Sequence, residues 1–584
     1  MSSQSISPLR LPFDAELRLP GSKSEANRAI VVAALCKGIT RISNATPCDD
    51  VRYLVDGLKT LGFDLEWLDQ SAGELEVRGG LPKAAHAART SGEIYCGNAG
   101  TAMRFLTSVA ILVPGEWLLN GDRRMSTRPI QDLVDAWASL GVEIEARAGC
   151  PPIRVKGGLT RGGEVRLDAS KSSQFLSSML LVGWQLKGGL AVQITKGLAS
   201  ASYLELTTEV LKHFGIGTAM TEEHAAVCHT EGQSLGRDPF EIEGDWSAAG
   251  TFFALAHLSN SRFLGSNLRP DSTQSDRAVL HHLQALSGRG DLEIDVSNTP
   301  DQLMNLALVA ARRSGRTRFV GAANLRLKEC DRLAVTAREF TRMGIEIAVE
   351  PDGISIQGSS RVQAVAFDPE GDHRLAMVGA LFGCLAPGMQ VSNADCVAKS
   401  YPRFFDDLTS ICNQTRPLAI VGMRATGKST LARLIAEILN LEFVDSDSVF
   451  EFRAGEIRRH VEKEGWPSFR RAEEAIIAEE LRPGVILATG GGAVESESTR
   501  AILKKKAAVI WITEELATIG GRLRADSQGR PALSDTGLLP ELESALDRRA
   551  PFYEDVADII LPPGLSSNEQ IGILVEELRR SCTW

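Results

Sequence analysis

Residues Gly422-Met423-Arg424-Ala425-Thr426-Gly427-Lys428-Ser429 follow an apolar strand and open a helical run, the setting of a glycine-rich phosphate loop. Backbone N–H groups of such a loop cradle phosphate oxygens, Lys428 neutralises their charge, and Ser429 can ligate Mg²⁺. This predicts nucleotide binding and leaves the acceptor open. Asp445 and Asp447 stand just past the next strand, where one can serve a metal and the other hold a hydroxyl; a helix N-cap is the alternative. Three glycines at 490–492 permit close backbone approach to a ligand, or form a simple turn. Arg470, Arg471 and Arg549 offer forks for a carboxylate, and Arg530-Pro531 lies in a segment suited to a lid, against the alternative of solvated arginines.

A second set of cations lies in Gly, Ser and Asn segments of the first 400 or so residues. Lys23 and Ser24 stand at the start of an apolar helix, a natural anion site, within Leu19-Pro20-Gly21-Ser22-Lys23-Ser24-Glu25-Ala26-Asn27-Arg28. Gly97-Asn98-Ala99-Gly100-Thr101-Ala102-Met103-Arg104 repeats that chemistry. Arg124, Arg128, Lys328, Glu329, Arg332, Asp372, His373, Arg374 and Lys399 follow. Each alone reads equally as a cap or a surface ion pair; together they suggest a site for anions.

The elements that must position these groups recur. An amphipathic helix ends in a large apolar residue and a glycine, at Gly62, Gly141, Gly215 and Gly344, and an alternating strand follows. Three copies continue into a second strand closing on glycine or serine, at 73–80, 152–158 and 353–359. Copies roughly 70 to 80 residues apart in the first half predict a domain assembled from similar α/β subunits. The pattern stops after Asp395, and a short polar bridge places a boundary near residue 415. Six or so extended residues span only about 20 Å, so the two parts are closely fused.

The chain has 584 residues, enough for about four globular units. Net charge is −10, with 43% apolar and 24% charged residues, an ordinary globular composition that argues against disorder and against nucleic-acid binding through bulk positive charge. Ten cysteines without a CxxC pair read as reduced cytosolic thiols. The apolar run at 29–36 lies beyond charged residues and is not a secretory segment, and 375–394 is broken by glycine and proline, fitting a buried helix and loop better than a membrane span. A cytoplasmic enzyme with small-molecule substrates is expected, with neither nucleic acid nor membrane as partner.

Taken in order, GxxxxGKST, DSD, FRxxE (Phe469, Arg470, Glu473), GGG, RP and RxPxY resemble shikimate kinase over residues 416–584. The resemblance implies ATP held by Gly422, Ala425, Thr426, Gly427, Lys428, Ser429 and Thr430, with Arg530 closing over it, and Mg²⁺ served by Ser429 and Asp445. It implies shikimate held by Asp447, Arg470, Gly491 and Arg549. Ala532 replaces a usual leucine of the lid.

LPGSKSxxNR, GNAGTAMR, SSQFL, EGD, LKExDR and DHR resemble the 5-enolpyruvylshikimate-3-phosphate (EPSP) synthases across residues 10–410. The implied fold is α/β: a two-lobed inverse α/β barrel of repeated βαββαβ units, followed by a P-loop kinase domain with a parallel sheet. The synthase module would take residues 1–412, with lobes 21–238 and 1–20 plus 239–412, and the kinase module 416–584. The implied reaction transfers enolpyruvyl from phosphoenolpyruvate to the 5-hydroxyl of shikimate-3-phosphate, releasing phosphate and needing no cofactor in this module. By resemblance, shikimate-3-phosphate meets Lys23, Ser24, Arg28, Ser172, Ser173, Gln174, Ser200, Tyr203, Asp301, Asn324 and Lys328. Phosphoenolpyruvate meets Lys23, Asn98, Gly100, Arg128, Gln174, Arg332, Arg374 and Lys399. Asp301 would take the hydroxyl proton, and Glu329 with Lys23 would deliver one to the methylene carbon. Phe105, Ala201-Ser202 and Ser275 depart from the common bacterial pattern.

The expectation is a bifunctional enzyme of chorismate and aromatic amino-acid biosynthesis. The alternatives are a C-terminal nucleotide-binding regulatory pseudokinase, against which the acceptor residues argue, and a UDP-sugar acceptor in the first module, against which SSQFL and Lys328-Glu329 argue.

Overall fold

The computed structural model describes residues 3–9, 12–82, 91–198, 202–359, 361–439, 441–525 and 538–582. The first lobe carries three four-stranded sheets of one design: two parallel strands, then two antiparallel ones. In the first of them Gly236–Glu241 pairs parallel with Gly38–Ser43, which pairs antiparallel with Glu74–Gly79, which pairs antiparallel with Asp64–Asp69. Ser91–Tyr95, Gly115–Asn120, Cys150–Gly157 and Glu143–Arg147 repeat the order, as do Arg161–Asp168, Lys187–Lys196, His224–Val227 and Thr218–Met220. The second lobe has one full copy, Leu292–Asp295, Arg316–Val320, Gly353–Gln357 and Glu346–Glu350, beside smaller three- and two-stranded sheets.

Helices fill the inside. Lys23–Leu35, Gly100–Ala110 and Ser173–Gly183 are buried almost throughout and pack on one another. In the second lobe Trp246–Leu258, Leu303–Arg312 and His373–Leu385 do the same. Their composition explains it: runs such as Ile30-Val31-Val32-Ala33-Ala34-Leu35 are apolar all round, and only a core surrounded by other elements accepts such a helix. Amphipathic partners such as Asp49–Thr60 and Arg332–Arg342 bury one face and lead into the glycine-capped turns. The inverse arrangement is therefore present, but among the described residues the expected barrel does not close, and each sheet is open. Edge strands such as Asp64–Asp69 and Glu143–Arg147 turn Asp64, Glu66, Glu143 and Glu145 outward, and such charges discourage further pairing.

The lobes meet where the chain crosses twice. Gly21 and Gly244 form an antiparallel bridge, the Ser22 N–H donates to the Glu243 carbonyl at 2.7 Å, and the Asp245 N–H donates to the Pro20 carbonyl at 2.9 Å. Because strand Gly236–Glu241 completes the first lobe's sheet, the crossing falls a few residues beyond the 238/239 division read from sequence.

After helix Phe404–Asn413 the chain is pinned: the Arg416 N–H donates to the Pro12 carbonyl at 2.7 Å, and Thr415 bridges Phe13. A five-stranded, wholly parallel sheet follows, in the order Glu442–Asp445, Val485–Ala488, Leu418–Val421, Ala508–Ile512, Ile559–Leu561. The phosphate loop leaves the central strand at the point where the strand order reverses, the usual place for a ligand crevice in such sheets. Among the described residues no helix is long and apolar enough to cross a membrane.

Candidate active sites

All six buried helices of the first module begin at one cleft. Lys23, Gly100, Ser173, Asp245, Asp301 and His373 stand at or beside their N-termini, and all six line the same pocket. Helix N-termini present free N–H groups and partial positive charge, so this convergence already favours anions. Seven cations add to it, Lys23, Arg104, Arg128, Lys171, Lys328, Arg332 and Arg374, against four carboxylates, Asp50, Asp245, Asp301 and Glu329. Ser24, Gly100, Ser172, Ser173, Gln174, Tyr203 and Asn324 complete the wall among residues expected from sequence.

The charged groups form one network. Arg332, 1% exposed, donates to Asp301 Oδ1 at 2.7 Å, Glu329 Oε2 at 3.1 Å and Asp372 Oδ2 at 2.7 Å. Lys23 Nζ lies 2.9 Å from Asp50 Oδ2, and Lys399 Nζ bridges Asp50 Oδ1 at 3.1 Å and Glu329 Oε1 at 3.4 Å. Burial alone would raise the Asp301 carboxyl, but Lys328, Arg332 and Arg374 hold it well below the usual range. Glu329 is likewise held well below by Arg332, Lys399 and Arg128 against the effect of burial. Lys23 is buried, which favours loss of its proton, yet Asp50 and Glu329 keep it above the ordinary lysine value. The site thus presents two ionised carboxylates and a protonated lysine. Burial, Lys23 and Arg374 keep His373 neutral, and among the described residues neither of its ring nitrogens has a hydrogen-bond partner.

Three expected residues lie off the wall. Asn98 and Lys399 are one contact behind it: Lys399 Nζ donates to the Asn98 carbonyl at 2.5 Å, and Arg128 Nη1 to the Asn98 side chain at 3.2 Å. Arg28 is not brought to the pocket. Its guanidinium donates to Thr207 Oγ1 at 2.8 Å, the Ser24 carbonyl at 2.8 Å and the Tyr203 carbonyl at 3.2 Å, beneath the ring of Phe105 at 5.5 Å. Arg28 is 1% exposed, and burial pushes its pKa down to about 10. It braces Ser24 and Tyr203, and Phe105 covers it. Ser200, like Arg530 of the second module, lies outside the described residues.

In the second module Lys428 Nζ and Thr426 Oγ1 each donate to the Met423 carbonyl at 2.8 Å, and Gly427 takes φ +95°, closing the loop. Gly422 and Ala425 share that loop, while Thr430 is exposed on the helix it opens. Ser429 Oγ donates to Asp445 Oδ2 at 2.5 Å. Asp445 also caps the helix Ser446–Ala454, accepting from the Asp447 and Ser448 N–H groups, so the helix-cap reading of this carboxylate holds. The glycine turn is where Asp447, Arg470 and Glu473 come together. A Cβ built on Gly490 would stand 2.1 Å from Glu473 Oε1 and 2.9 Å from Asp447 Oδ1; on Gly491, 2.9 Å from the Arg424 nitrogen; on Gly492, 1.9 Å from Arg470 Nη2. Asp447, Arg470 and the glycines thus stand close together beside the phosphate loop. Arg549 reaches it through Glu495, at 2.8 Å.

Sequence reasoning missed Asp50, Asp276 and Glu495. Asp50 reads as an ordinary acid in a helix's first turn, and only folding places it between Lys23 and Lys399. Asp276, 4% exposed, accepts from Ser247 Oγ, and burial followed by the Asp301 charge pushes it up to about 7.

A loop-and-cradle site and a cation-lined cleft with paired carboxylates define a two-site transferase for small phosphorylated and carboxylated metabolites. The chain belongs to the EPSP synthase family: the profile of EPSP synthase (3-phosphoshikimate 1-carboxyvinyltransferase) matches residues 10–408, and that of shikimate kinase matches residues 424–579. It is similar to the 3-phosphoshikimate 1-carboxyvinyltransferase of Methanoculleus marisnigri, 36% identical over 415 residues, covering 68% of this chain and 96% of that protein. Pentafunctional AROM polypeptide 2 of Lodderomyces elongisporus is 31% identical over 612 residues, covering 94% of this chain and 39% of its own length. The EPSP synthase structure from Acinetobacter baumannii shares the fold, with a TM-score of 0.59 at 23% identity over 70% of this chain and 98% of that one. The protein is therefore an enzyme that joins an EPSP synthase domain to a shikimate kinase domain, and it serves the shikimate pathway of aromatic amino-acid biosynthesis.

Proposed function

We propose that residues 416–584 phosphorylate shikimate with ATP and that residues 1–412 transfer enolpyruvyl from phosphoenolpyruvate to the product, with the residues in the following roles. In the kinase site Arg470 and Arg549 hold the shikimate carboxylate, the 490–492 turn approaches its ring, and Asp447 accepts the hydroxyl proton as that oxygen bonds to the γ-phosphorus and ADP departs. Lys428 and the loop N–H groups hold the transferring phosphate. Ser429 and Asp445, a hydroxyl 2.5 Å from a carboxylate, are the hard oxygen pair that suits Mg²⁺, which when bound neutralises phosphate charge.

In the cleft, the shikimate-3-phosphate lies against Ser24, Ser172, Ser173, Gln174, Tyr203, Asn324 and Lys328, and phosphoenolpyruvate against Arg128, Arg332, Arg374 and Lys399. Asp301, held ionised, takes the 5-hydroxyl proton as that oxygen adds to the enol carbon. The methylene carbon gains a proton from the Lys23–Glu329 side. Lys23, protonated in the free site, and Glu329 are the pair that supplies it. The phosphate and carboxylate of phosphoenolpyruvate, landing on the cations that hold Asp301 down, raise its basicity when it is needed. Loss of phosphate and of a methyl proton completes the transfer.

The observation that carries this reading is the meeting of six helix N-termini and seven cations at one pocket. A cytoplasmic setting agrees with the nine free cysteines among the described residues, of which burial pushes Cys36, Cys48 and Cys96 up to about 12. The test is incubation of the purified chain with shikimate, ATP, Mg²⁺ and phosphoenolpyruvate. Mass spectrometry should show shikimate-3-phosphate and then its enolpyruvyl ether; absence of the first product from an intact, folded chain refutes the kinase assignment.

A further inference from the structure

Glu495 ends the short 3₁₀ turn Ala493–Glu495 that follows the glycines of the kinase site. Its Oε1 accepts from Arg549 Nε at 2.8 Å and from Arg548 Nε at 3.2 Å, while Oε2 lies 3.8 Å from Arg470 Nη2. One carboxylate therefore stands among three guanidinium groups. Burial alone would raise it, but Arg549, Arg470 and Arg548 hold it below the ordinary glutamate value, so it stays charged.

The backbone beneath this side chain is fixed. Arg500 Nη1 donates to the Val494 carbonyl at 2.7 Å and the Glu495 carbonyl at 3.2 Å, and its guanidinium lies 4.3 Å from the centre of the Phe552 ring. Tyr553 donates its hydroxyl to the Gly491 carbonyl at 2.6 Å. The Arg549–Tyr553 segment and the turn that carries Glu495 are thus locked together at both ends.

The geometry of the Arg549 contact is informative. Glu495 uses Nε, and among the described residues no hydrogen bond or ion pair engages the terminal Nη1 and Nη2, two nitrogens that form a fork matching a carboxylate. Arg470 is held differently, by a terminal nitrogen, Nη1, which donates to Glu473 Oε2 at 2.6 Å. Neighbouring arginines repel one another, and a long side chain freed of its anchor samples many rotamers. A carboxylate placed on the Nε edge opposes both effects.

We propose that Glu495 is a positioning residue for acceptor recognition: it holds Arg549 by its inner edge so that the outer fork meets the carboxylate of a small hydroxy acid in a fixed orientation. This rests on reading Arg470 and Arg549 as the acceptor's carboxylate site. It predicts a defect confined to acceptor binding, since neither phosphate loop nor metal pair touches Glu495.

The test compares full-length Glu495→Ala, Glu495→Gln and Arg549→Lys chains in steady-state kinase assays with shikimate and with its uncharged methyl ester. Glu495→Ala should raise the KM for shikimate about tenfold, leaving kcat and the KM for ATP within about twofold. Glu495→Gln, which keeps an acceptor oxygen, should recover part of the loss. The ester, offering no charge to the fork, should show the same KM in wild type and both Glu495 variants. An unchanged or lowered shikimate KM in Glu495→Ala overturns the proposal, a lowered value meaning that Glu495 competes with the substrate. An equal rise for ester and acid overturns it in favour of general distortion. An unchanged shikimate KM in Arg549→Lys instead removes the acceptor-site reading beneath it.

Discussion

Glu25 lies at the double crossing between the lobes, and its titration gives a quantitative handle on that junction. It is 4% exposed; Oε2 accepts the Glu243 N–H at 2.8 Å and Oε1 lies 3.4 Å from Arg269 Nη2. Its neighbour Glu243 is saturated by Trp246 Nε1 at 2.9 Å, Ser272 Oγ at 2.7 Å and Gln274 Nε2 at 3.0 Å. Burial pushes Glu25 from 4.5 up to about 7, more than the Glu243 N–H and Arg269 pull it down. A carboxyl whose pKa is raised by folding binds its proton more tightly in the native state. Its contribution is therefore most favourable below the unfolded value of 4.5 and is lost as pH rises toward about 7. The loss amounts to about 3 kcal/mol above neutrality, and roughly 2.5 kcal/mol of it falls between about pH 5 and pH 8. Glu25→Gln does not titrate, so its stability relative to wild type should climb by that amount over this range. Equilibrium urea unfolding, followed through the fluorescence of buried Trp137, Trp184 and Trp246, measures it. A difference that stays flat with pH, or that falls, refutes the reasoning.

Two glycine substitutions probe the anion sites by steric means. A Cβ at Gly100 would lie 2.5 Å from Arg128 Nη2 and 2.6 Å from Arg104 Nη1, so Gly100→Ala should displace Arg128 and raise the KM for phosphoenolpyruvate about tenfold with little change for shikimate-3-phosphate, as read by initial rates. A Cβ at Gly492 would lie 1.9 Å from Arg470 Nη2; Gly492→Ala should weaken shikimate binding more than about tenfold in calorimetry while ATP binding persists.

What could be read from the chain was local. Ser22, Ser172, Asp245 and Asp372 cap their helices within a few residues, so the motifs that contain them also fix where each helix starts. Once six such starts are known, a cleft that gathers them is a natural consequence of helices packed inside sheets. The phosphate loop was legible for the same reason, since strand, loop and helix are contiguous. Directions across long separations were not. Arg28 belongs to the same helix as Lys23, yet Thr207 and the Tyr203 carbonyl turn it away from the pocket, and no nearby residue signals that. Strand Gly236–Glu241 completes a sheet begun at Gly38, a pairing set by the lobe crossing. Asp50 and Glu495 look like ordinary surface acids until Lys23, Lys399 and the arginines close around them.

The central claim is that one chain holds two complete and independent polyanion sites, joined only by a diffusible product. Lys428→Ala should lose shikimate phosphorylation and keep enolpyruvyl transfer, and Asp301→Asn should do the reverse. Mixing the two purified variants with shikimate, ATP, Mg²⁺ and phosphoenolpyruvate should restore formation of the enolpyruvyl product that neither makes alone. Failure of the mixture, with both variants folded, contradicts the account.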